Sequence, residues 1–380
     1  MRILQMFARG LSASLTFALP KAATPNKDAD DMSASRQTAV RTFDPHDPDD
    51  KEYRVIARHI AELMLADEWI EIADTIAKWE STLAQTPGGL RFHEIGVEVA
   101  LSGLQSLIDG ACHDTLGDLE HAEYELGCFY QTFTSAPENH VLAVLAARAY
   151  ILMGEACRAD HWPDQLRTAA YRRMARNYVD ASDILQGFDS RALMSPLVAE
   201  AHYLVSRGAP AGGHQVPELF DAWILLDPAN PRIYDTHAEW LAEPNNASEE
   251  TILTLAEEAL VRTEDTLGFA GYALFFRPLL ALTEDGRNFY DPELYASGIH
   301  DLGTLSASQA DANRAADALA EEIDNCGANA PAAFRDTLMM LLGNEIEVFY
   351  PRLWTRPEEE IRALVNEAAT LFPGLELKAA

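Results

Sequence analysis

The strongest constraint on the fold is a short proline-punctuated segment, residues 226–231, which reads Leu-Asp-Pro-Ala-Asn-Pro. It lies between two stretches whose apolar residues recur at helical spacing. Pro228 lacks an N–H group and disfavours helix in the residue before it, so the first helix should end there. The Asn230 side chain is suited to capping the next helix, and Pro231 fits its first turn. The segment therefore predicts two helices joined by a tight bend.

Helical spacing of apolar residues continues from Glu52 onward, with short breaks between successive stripes. No alternating strand pattern persists. The predicted helices lie at about 53–64, 69–83, 97–108, 114–133, 139–159, 164–186, 192–207, 217–226, 232–242, 249–262, 268–283, 308–324, 332–349 and 358–371. We therefore expect an all-α fold over residues 51–380, with antiparallel helix pairs stacked as an α-solenoid. A compact helical bundle is the alternative.

The first 50 residues differ in composition from the rest of the chain. Residues 21–50 are rich in Ala, Ser, Thr, Asp and Pro, and such a segment buries too little apolar surface to offset the entropy of ordering. We therefore predict a disordered or poorly ordered N-terminal tail over residues 1–50. Asp49 or Asp50 is expected to cap the first helix.

The spacing of the cysteines and the hydropathy of the chain indicate where in the cell the protein is located. The four cysteines show neither CxxC spacing nor the density of a disulfide framework, which suits a reducing environment. An apolar stretch at residues 11–19 resembles a secretory signal, but it is short and interrupted by Ser and Thr. No run approaches the roughly 20 apolar residues of a membrane span. The predicted location is the cytoplasm, and a weak export signal within residues 1–23 stays an open alternative.

The net charge excludes several partners. The chain has 60 acidic and 29 basic residues, a formal charge of −31, so it should repel nucleic acid and anionic lipid. A basic partner and a merely solvating acidic surface both remain open. No lysine lies between Lys78 and Lys378. That gap excludes a phosphate-binding loop lysine and a Schiff-base lysine from the body of the chain.

One group of residues has the composition of a metal site but the wrong spacing. Cys112, His113, His121 and Cys128 carry suitable ligand atoms. On one helix, however, His113 and His121 would lie about 12 Å apart, too far to share one ion. His237-Ala238-Glu239 echoes a zinc deaminase, but the paired cysteines of that motif are missing. We therefore predict no catalytic residues, no metal and no cofactor.

A group of arginines stands out against the acidic background. The candidate ligand or peptide clamp comprises Arg167, Tyr171, Arg172, Arg173 and Arg176. Guanidinium groups three or four residues apart share a helix face, where they can bind a carboxylate or phosphate through paired hydrogen bonds. The alternative is that these arginines form ion pairs with nearby acids, such as Asp164, Asp180 and Asp183. Aromatic residues between Trp223 and Phe276 are likewise either core or anchors of a peptide groove.

The junction at residues 226–231 resembles the junction between repeats of tetratricopeptide-like (TPR-like) helical-repeat proteins. The helix predicted at Glu249–Arg262 would complete the pair. The order of features, from Leu63–Ile72 through this junction to Gly268–Ala273, is similar to an uncharacterised bacterial family of helical proteins. The resemblance covers residues 52–283. It implies paired helices but no activity, because the family is a domain of unknown function.

Three functions are compatible with these observations. The first is a non-enzymatic scaffold that mediates protein–protein interaction, with an unknown protein or peptide as its partner. The second is an enzyme or small-molecule binder with an inter-helix pocket for an anionic ligand. The third is a component that associates mainly with copies of itself, through exposed apolar faces.

Overall fold

A computed structural model describes most of residues 39–377, and the elements from Val40 onward form one unit. The residues outside the described part are 1–38, 113, 159–161, 210–211, 244–245, 284, 306–307, 373–374 and 378–380. The secretory-like stretch, most of the predicted tail and His113 of the candidate metal set therefore lie outside the described residues. The described part is predominantly helical, as predicted.

Sixteen α-helices and three short strands make up the described part. They are β1 (Ala39–Phe43), α1 (Asp50–Leu65), α2 (Trp69–Ser81), α3 (Phe92–Asp109), α4 (Glu120–Ser135), α5 (His140–Ala156), α6 (Arg167–Leu185), α7 (Ser190–Leu193), α8 (Pro196–Gly208), α9 (Val216–Ile224), α10 (Pro231–Ala242), α11 (Glu249–Leu267), α12 (Ala270–Leu282), α13 (Pro292–Leu305), α14 (Gln309–Cys326), α15 (Ala332–Met340), β2 (Val348–Phe349), α16 (Glu358–Leu371) and β3 (Leu375–Leu377). Most helices pack against the next helix along the chain.

The predicted bend at residues 226–231 is confirmed. The Asn230 side chain accepts a hydrogen bond from Arg232 N at 3.1 Å, and Pro231 occupies the first turn of α10. The hydroxyl of Tyr234, also on α10, donates to the Pro228 carbonyl at 2.9 Å. This bond fixes the helix to the bend that precedes it.

Two sequence predictions near the C-terminus are wrong. The predicted helix over 332–349 ends at Met340, continues as one π-helical turn over Leu341–Glu345, and gives way to β2. Helix α13 was not predicted, because two of its buried positions are Gly298 and Gly303, which a count of apolar side chains does not register. The sequence pattern therefore understates how much of this region is packed.

The predicted tail is also wrong for its last residues. Residues 39–43 form β1, the central strand of a sheet with the order β2-β1-β3. Strands β1 and β2 pair in parallel, with Phe43 opposite Phe349 and their rings stacked at 5.1 Å. The Arg41 guanidinium donates to the Gly343 carbonyl at 2.8 Å, and the Arg362 guanidinium lies over the Phe43 ring. Packing on residues about 300 positions away orders this segment, a contact that local composition does not reveal.

Asp49 takes the predicted position before α1 but serves a different contact. Its carboxylate accepts a hydrogen bond from Gly88 N at 2.5 Å and makes no cap bond to α1. Arg314, at the start of α14, approaches the same carboxylate at 3.8 Å and also donates to the Gly88 carbonyl. The turn before α3 is thereby joined to a helix more than 200 residues later in the chain.

The apolar interior consists of two clusters that meet at α8. Leu197, Val198 and Ala201 belong to the cluster built mainly from α1–α6. Ala199 and Tyr203, on another face of the same helix, belong to the cluster built from α9–α16. Helix α8 therefore forms a wall shared by both halves of the unit.

Candidate functional site

The structure separates the members of the predicted arginine group. Arg167 is exposed and forms an ion pair with Asp164 at 3.0 Å, which is the alternative that the sequence left open. Arg173 is half-buried, donates to the Leu116 carbonyl at 3.0 Å and forms an ion pair with Glu123 of α4. Burial lowers the pKa of the Arg173 guanidinium. These two arginines stabilise local structure.

Arg172 and Arg176 have a different environment. Both are exposed, and neither makes an ion pair with a carboxylate in the described part of the chain. Their separation of four residues places them one turn apart on α6. Burial raises the pKa of Asp180, and the charge of Arg176, four residues earlier on α6, opposes this rise. These two guanidinium groups remain available to bind a ligand.

Two tyrosines lie on the two helices that precede α6. Tyr130 of α4 contacts Tyr150 of α5, with their rings edge to face at 6.4 Å. Tyr150 is half-buried, and its pKa is raised by burial and also by the charge of Asp180 on α6. We define the tyrosine–arginine surface by its five principal residues, Tyr130, Tyr150, Arg172, Arg176 and Val179. It crosses three consecutive helices, and Val179 contributes an apolar side chain that is 57% exposed.

Tyr171, the remaining member of the predicted group, lines an open cavity of about 430 Å³ between α5, α6 and α8. The wall is partly apolar, with Ile151, Met174 and Leu204. Two arginines and two glutamates complete the lining, together with Gly208. The structure thus contains the inter-helix pocket that the second functional hypothesis requires. Its charged groups are balanced rather than purely cationic.

The cavity depends on close packing around the Tyr178 ring. A Cβ atom at Gly208 would lie 2.0 Å from this ring, and one at Gly154 would lie 2.9 Å from it. Only glycine on α5 and α8 leaves room for the ring between the helices. The Tyr178 hydroxyl donates to the Glu155 carboxylate, which lines the cavity. Burial, with the Glu155 charge as a lesser cause, raises the pKa of Tyr178 above its usual range.

A second site, which sequence reasoning missed, is a layer of largely buried ionisable side chains that joins the two halves. Its members lie on five helices, on the turn before α3 and on the bend before α10. We define the charged layer by Glu80, Arg91, His93, Glu94, Arg148, Glu200, Asp227 and Arg232. A signal was present in the sequence, since His93, Glu94 and Glu200 interrupt otherwise apolar helix faces.

The bend before α10 docks on the start of α3 through this layer. Arg91 Nε donates to the fully buried Asp227 carboxylate at 2.8 Å, and a second N–H of the same guanidinium makes a parallel bond. One turn later, Asn230 Nδ2 donates to Glu94 Oε1 at 2.6 Å. Burial raises the pKa of Glu94 to about 7, against the opposing effect of Arg232.

Glu200 of α8 lies at the centre of the layer. It forms an ion pair with Arg148 of α5 at 2.8 Å and another with Arg232 of α10 at 3.3 Å. Burial opposes ionisation of Glu200, but the two arginines hold the pKa of this carboxyl below its ordinary value. Arg232 also donates to Glu98, an exposed residue on α3. Helices from both halves therefore converge on one buried carboxylate.

Glu80 ends the layer on the side of α2. Its carboxylate accepts hydrogen bonds from Ser195 Oγ at 2.6 Å and from Leu197 N at 2.9 Å, and it contacts His140 at 3.0 Å. The Ser195 hydroxyl in turn accepts from Val198 N and caps α8. Serine and histidine contact different carboxylate atoms rather than each other. The group has the arrangement of a helix cap, not of an activated nucleophile.

The aromatic residues between α9 and α12 belong to the core. His237 stacks on Phe220 at 3.9 Å and lies near Trp240, while its Nδ1 atom contacts the Tyr203 hydroxyl at 3.0 Å. Burial lowers the pKa of His237 to about 3, so its ring is neutral at physiological pH. Trp223 is also buried. The core interpretation of these aromatics is therefore confirmed over the peptide-groove alternative.

Neither the cysteines nor a metal-binding cluster adds a reactive site in the described part of the chain. All four cysteines are free, and Cys157 is buried in apolar surroundings that raise its pKa to about 11. Among the described residues, no group of three or more His, Cys, Asp or Glu side chains is arranged to hold a metal ion. Within that same part of the chain, no helix is both long and apolar enough to cross a bilayer.

Comparisons with known proteins add no constraint on family. No family model, curated protein or solved structure matches this chain. The resemblance to TPR-like proteins therefore remains a prediction from the sequence.

Proposed function

We propose that this chain is a non-enzymatic helical-repeat scaffold that binds a partner protein. Packing of successive helices on their chain neighbours supports TPR-like stacking as the underlying architecture. Contacts such as Arg91 to Asp227 and Arg314 to Gly88 cross the unit, so the proposed stack is closed on itself rather than extended. A closed stack has little free concave surface, which supports a binding site on an outer face.

The observation that carries this proposal is the tyrosine–arginine surface. Tyrosine and arginine are the residue types that most often dominate the energy of a protein interface. Arg172 and Arg176 are exposed cations in a chain whose net charge is −31. Val179, seven residues after Arg172 on the same face of α6, is 57% exposed, and Tyr130, which contacts Tyr150 of α5, is 45% exposed. A partner segment that carries carboxylates next to aromatic or aliphatic side chains fits this chemistry.

We also propose a cytoplasmic location and a protein, rather than nucleic acid or membrane, as the partner. We place the protein in the cytoplasm, and the four unpaired cysteines support that assignment. The acidic surface argues against nucleic acid and membrane as partners. A second copy of this chain is the principal competing occupant of this surface, and crosslinking distinguishes it from a different protein.

Site-directed photocrosslinking of the full chain tests the proposal. A benzophenone amino acid replaces Tyr130 in one variant and Tyr53, an exposed tyrosine of α1, in a control. We expect crosslinks to a distinct protein in cells at position 130 but not at position 53. An Arg172→Ala/Arg176→Ala variant should reduce that crosslink at least tenfold. The two contacts are charge-assisted and together should contribute more than about 1.4 kcal/mol.

A matched double variant controls for loss of cationic charge. Arg58→Ala/Arg335→Ala removes two exposed arginines from α1 and α15, so it changes the net charge equally. It should leave the crosslink at Tyr130 intact. Crosslinks only between copies of this chain would assign the surface to self-assembly, and equal loss in both double variants would contradict a specific site.

A further inference from the structure

We propose that the cavity between α5, α6 and α8 binds a small zwitterion with an apolar body, such as a dipeptide of aliphatic residues. This proposal is independent of the scaffold function, because the cavity and the tyrosine–arginine surface use different residues. The cavity volume of about 430 Å³ lies within the range of small-molecule sites. Its lining combines aliphatic wall, guanidinium groups and carboxylates.

The charge balance of the lining selects a zwitterion over a simple anion. Arg158 and Arg207 line the cavity together with Glu155 and Glu243, and Arg158 forms an ion pair with Glu155 at 3.2 Å. We therefore assign the two charged subsites to Arg207 and Glu243. A ligand with only negative charge would gain from the two guanidinium groups but would be repelled by the two carboxylates. A ligand with both a carboxylate and an ammonium group finds a complementary partner for each. The anionic ligand expected from the sequence is therefore replaced by a ligand of mixed charge.

Arg207 is positioned to bind the ligand carboxylate. Its Nη1 atom donates to the Thr236 carbonyl at 3.2 Å and to Glu239 at 2.9 Å, which fixes the orientation of the guanidinium. Its Nη2 atom lies 3.9 Å from Glu243, beyond hydrogen-bond distance. At this distance the N–H group can still donate a hydrogen bond to a ligand carboxylate. The Glu243 carboxylate can likewise accept one from a ligand ammonium group.

The apolar part of the wall explains why an aliphatic body is required. Ile151 comes from α5, Met174 from α6 and Leu204 from α8, so each helix contributes one aliphatic side chain. Met174 has an unbranched, flexible side chain that adapts to different ligand shapes. Without a ligand these aliphatic side chains are in contact with water. An aliphatic ligand would remove apolar surface of both the cavity wall and the ligand from water.

Isothermal titration calorimetry with the dipeptide Leu-Leu tests the proposal on the full chain. We expect saturable binding that weakens at least tenfold when the peptide amine is acetylated, and likewise when its carboxylate is amidated. Equal binding of the capped and free peptides would overturn the assignment of the two charged subsites. Absence of binding to the unmodified protein at millimolar peptide would overturn the proposal as a whole.

Two variants and one control test whether the peptide binds in this cavity. Met174→Trp should fill the cavity and abolish binding, whereas Met340→Trp, at a partly exposed position on α15, should not affect it. Circular dichroism verifies that each variant is folded. Glu243→Gln provides a second approach, because this half-exposed side chain follows α10 and makes little contribution to the core. It should weaken binding of the free peptide about tenfold while leaving the N-acetylated peptide unaffected; unchanged affinity for the free peptide would place the ligand elsewhere.

Discussion

Replacing Glu94 by glutamine should stabilise the protein at alkaline pH. Glu94 is buried at the start of α3, between the Asn230 amide and the carboxylates of Glu200 and Asp227. Its pKa is raised from 4.5 to about 7 in the folded state, so folding opposes ionisation of this group. Stability is therefore lost as the pH rises from the unfolded pKa through the folded one. Glutamine keeps the shape and the bond from Asn230 but has no proton to lose.

The expected magnitude follows from that pKa. A carboxyl whose pKa rises from 4.5 to about 7 costs the folded state about 3 kcal/mol at pH values above both. Between about pH 5.5 and about pH 8.5 the cost grows by about 2 kcal/mol. We expect the stability advantage of Glu94→Gln over the unmodified chain to increase by about that amount over this range. It should be smallest at the acidic end, where the carboxyl already carries its proton.

Urea denaturation followed by circular dichroism at a series of pH values measures this difference. The control is Glu98→Gln, one turn further along α3, where the carboxylate is half-exposed and pairs with Arg232. An exposed ion pair is worth at most about 1 kcal/mol, so this control should show little change. A stability difference for Glu94→Gln that is independent of pH would refute the reasoning. So would a variant that is less stable than the unmodified protein at the alkaline end.

A buried ion pair, a closely packed glycine and a buried thiol each give a measurable effect. Arg91→Ala leaves a buried carboxylate without its cation and should cost about 3–5 kcal/mol in urea denaturation, against less than about 1 kcal/mol for the exposed Arg54→Ala. Gly208→Ala places a methyl group against the Tyr178 ring and should lower the free energy of unfolding by about 1–3 kcal/mol. Gly213→Ala, where a Cβ meets open space, should not. Cys157 should react with a thiol reagent only after urea is added, and immediate reaction would contradict its burial.

The helices and the bend at residues 226–231 were predictable because their signals are local. Proline and asparagine act within one turn of the chain, and apolar spacing reports which face of a helix is buried. The capping role of Asn230 is confirmed for this reason. The same residue also donates to Glu94, more than 130 positions earlier, and no local rule predicts that second contact.

The charged layer and the different environments of the predicted arginines could not be predicted from the sequence without the folded structure. Spacing places Arg172, Arg173 and Arg176 on one helix. Only the structure shows that Arg173 forms an ion pair with Glu123 of α4, while the other two arginines are exposed. Similarly, β1 was invisible in the sequence because its partner strand lies about 300 residues away. Non-local contacts of this kind depend on how the whole chain packs, which composition does not encode.

The pairing of β1 with β2 has a consequence for the newly made chain. Arg41 and its acceptor Gly343 are 302 residues apart, so the ribosome must add about 300 residues after Arg41 before this bond can form. At synthesis rates of about 5–20 residues per second, residues 39–43 wait about 15–60 seconds without their partner strand. During that interval their backbone N–H and C=O groups are open to pairing with any other extended segment. Misfolding should therefore increase when translation of the C-terminal region is slowed.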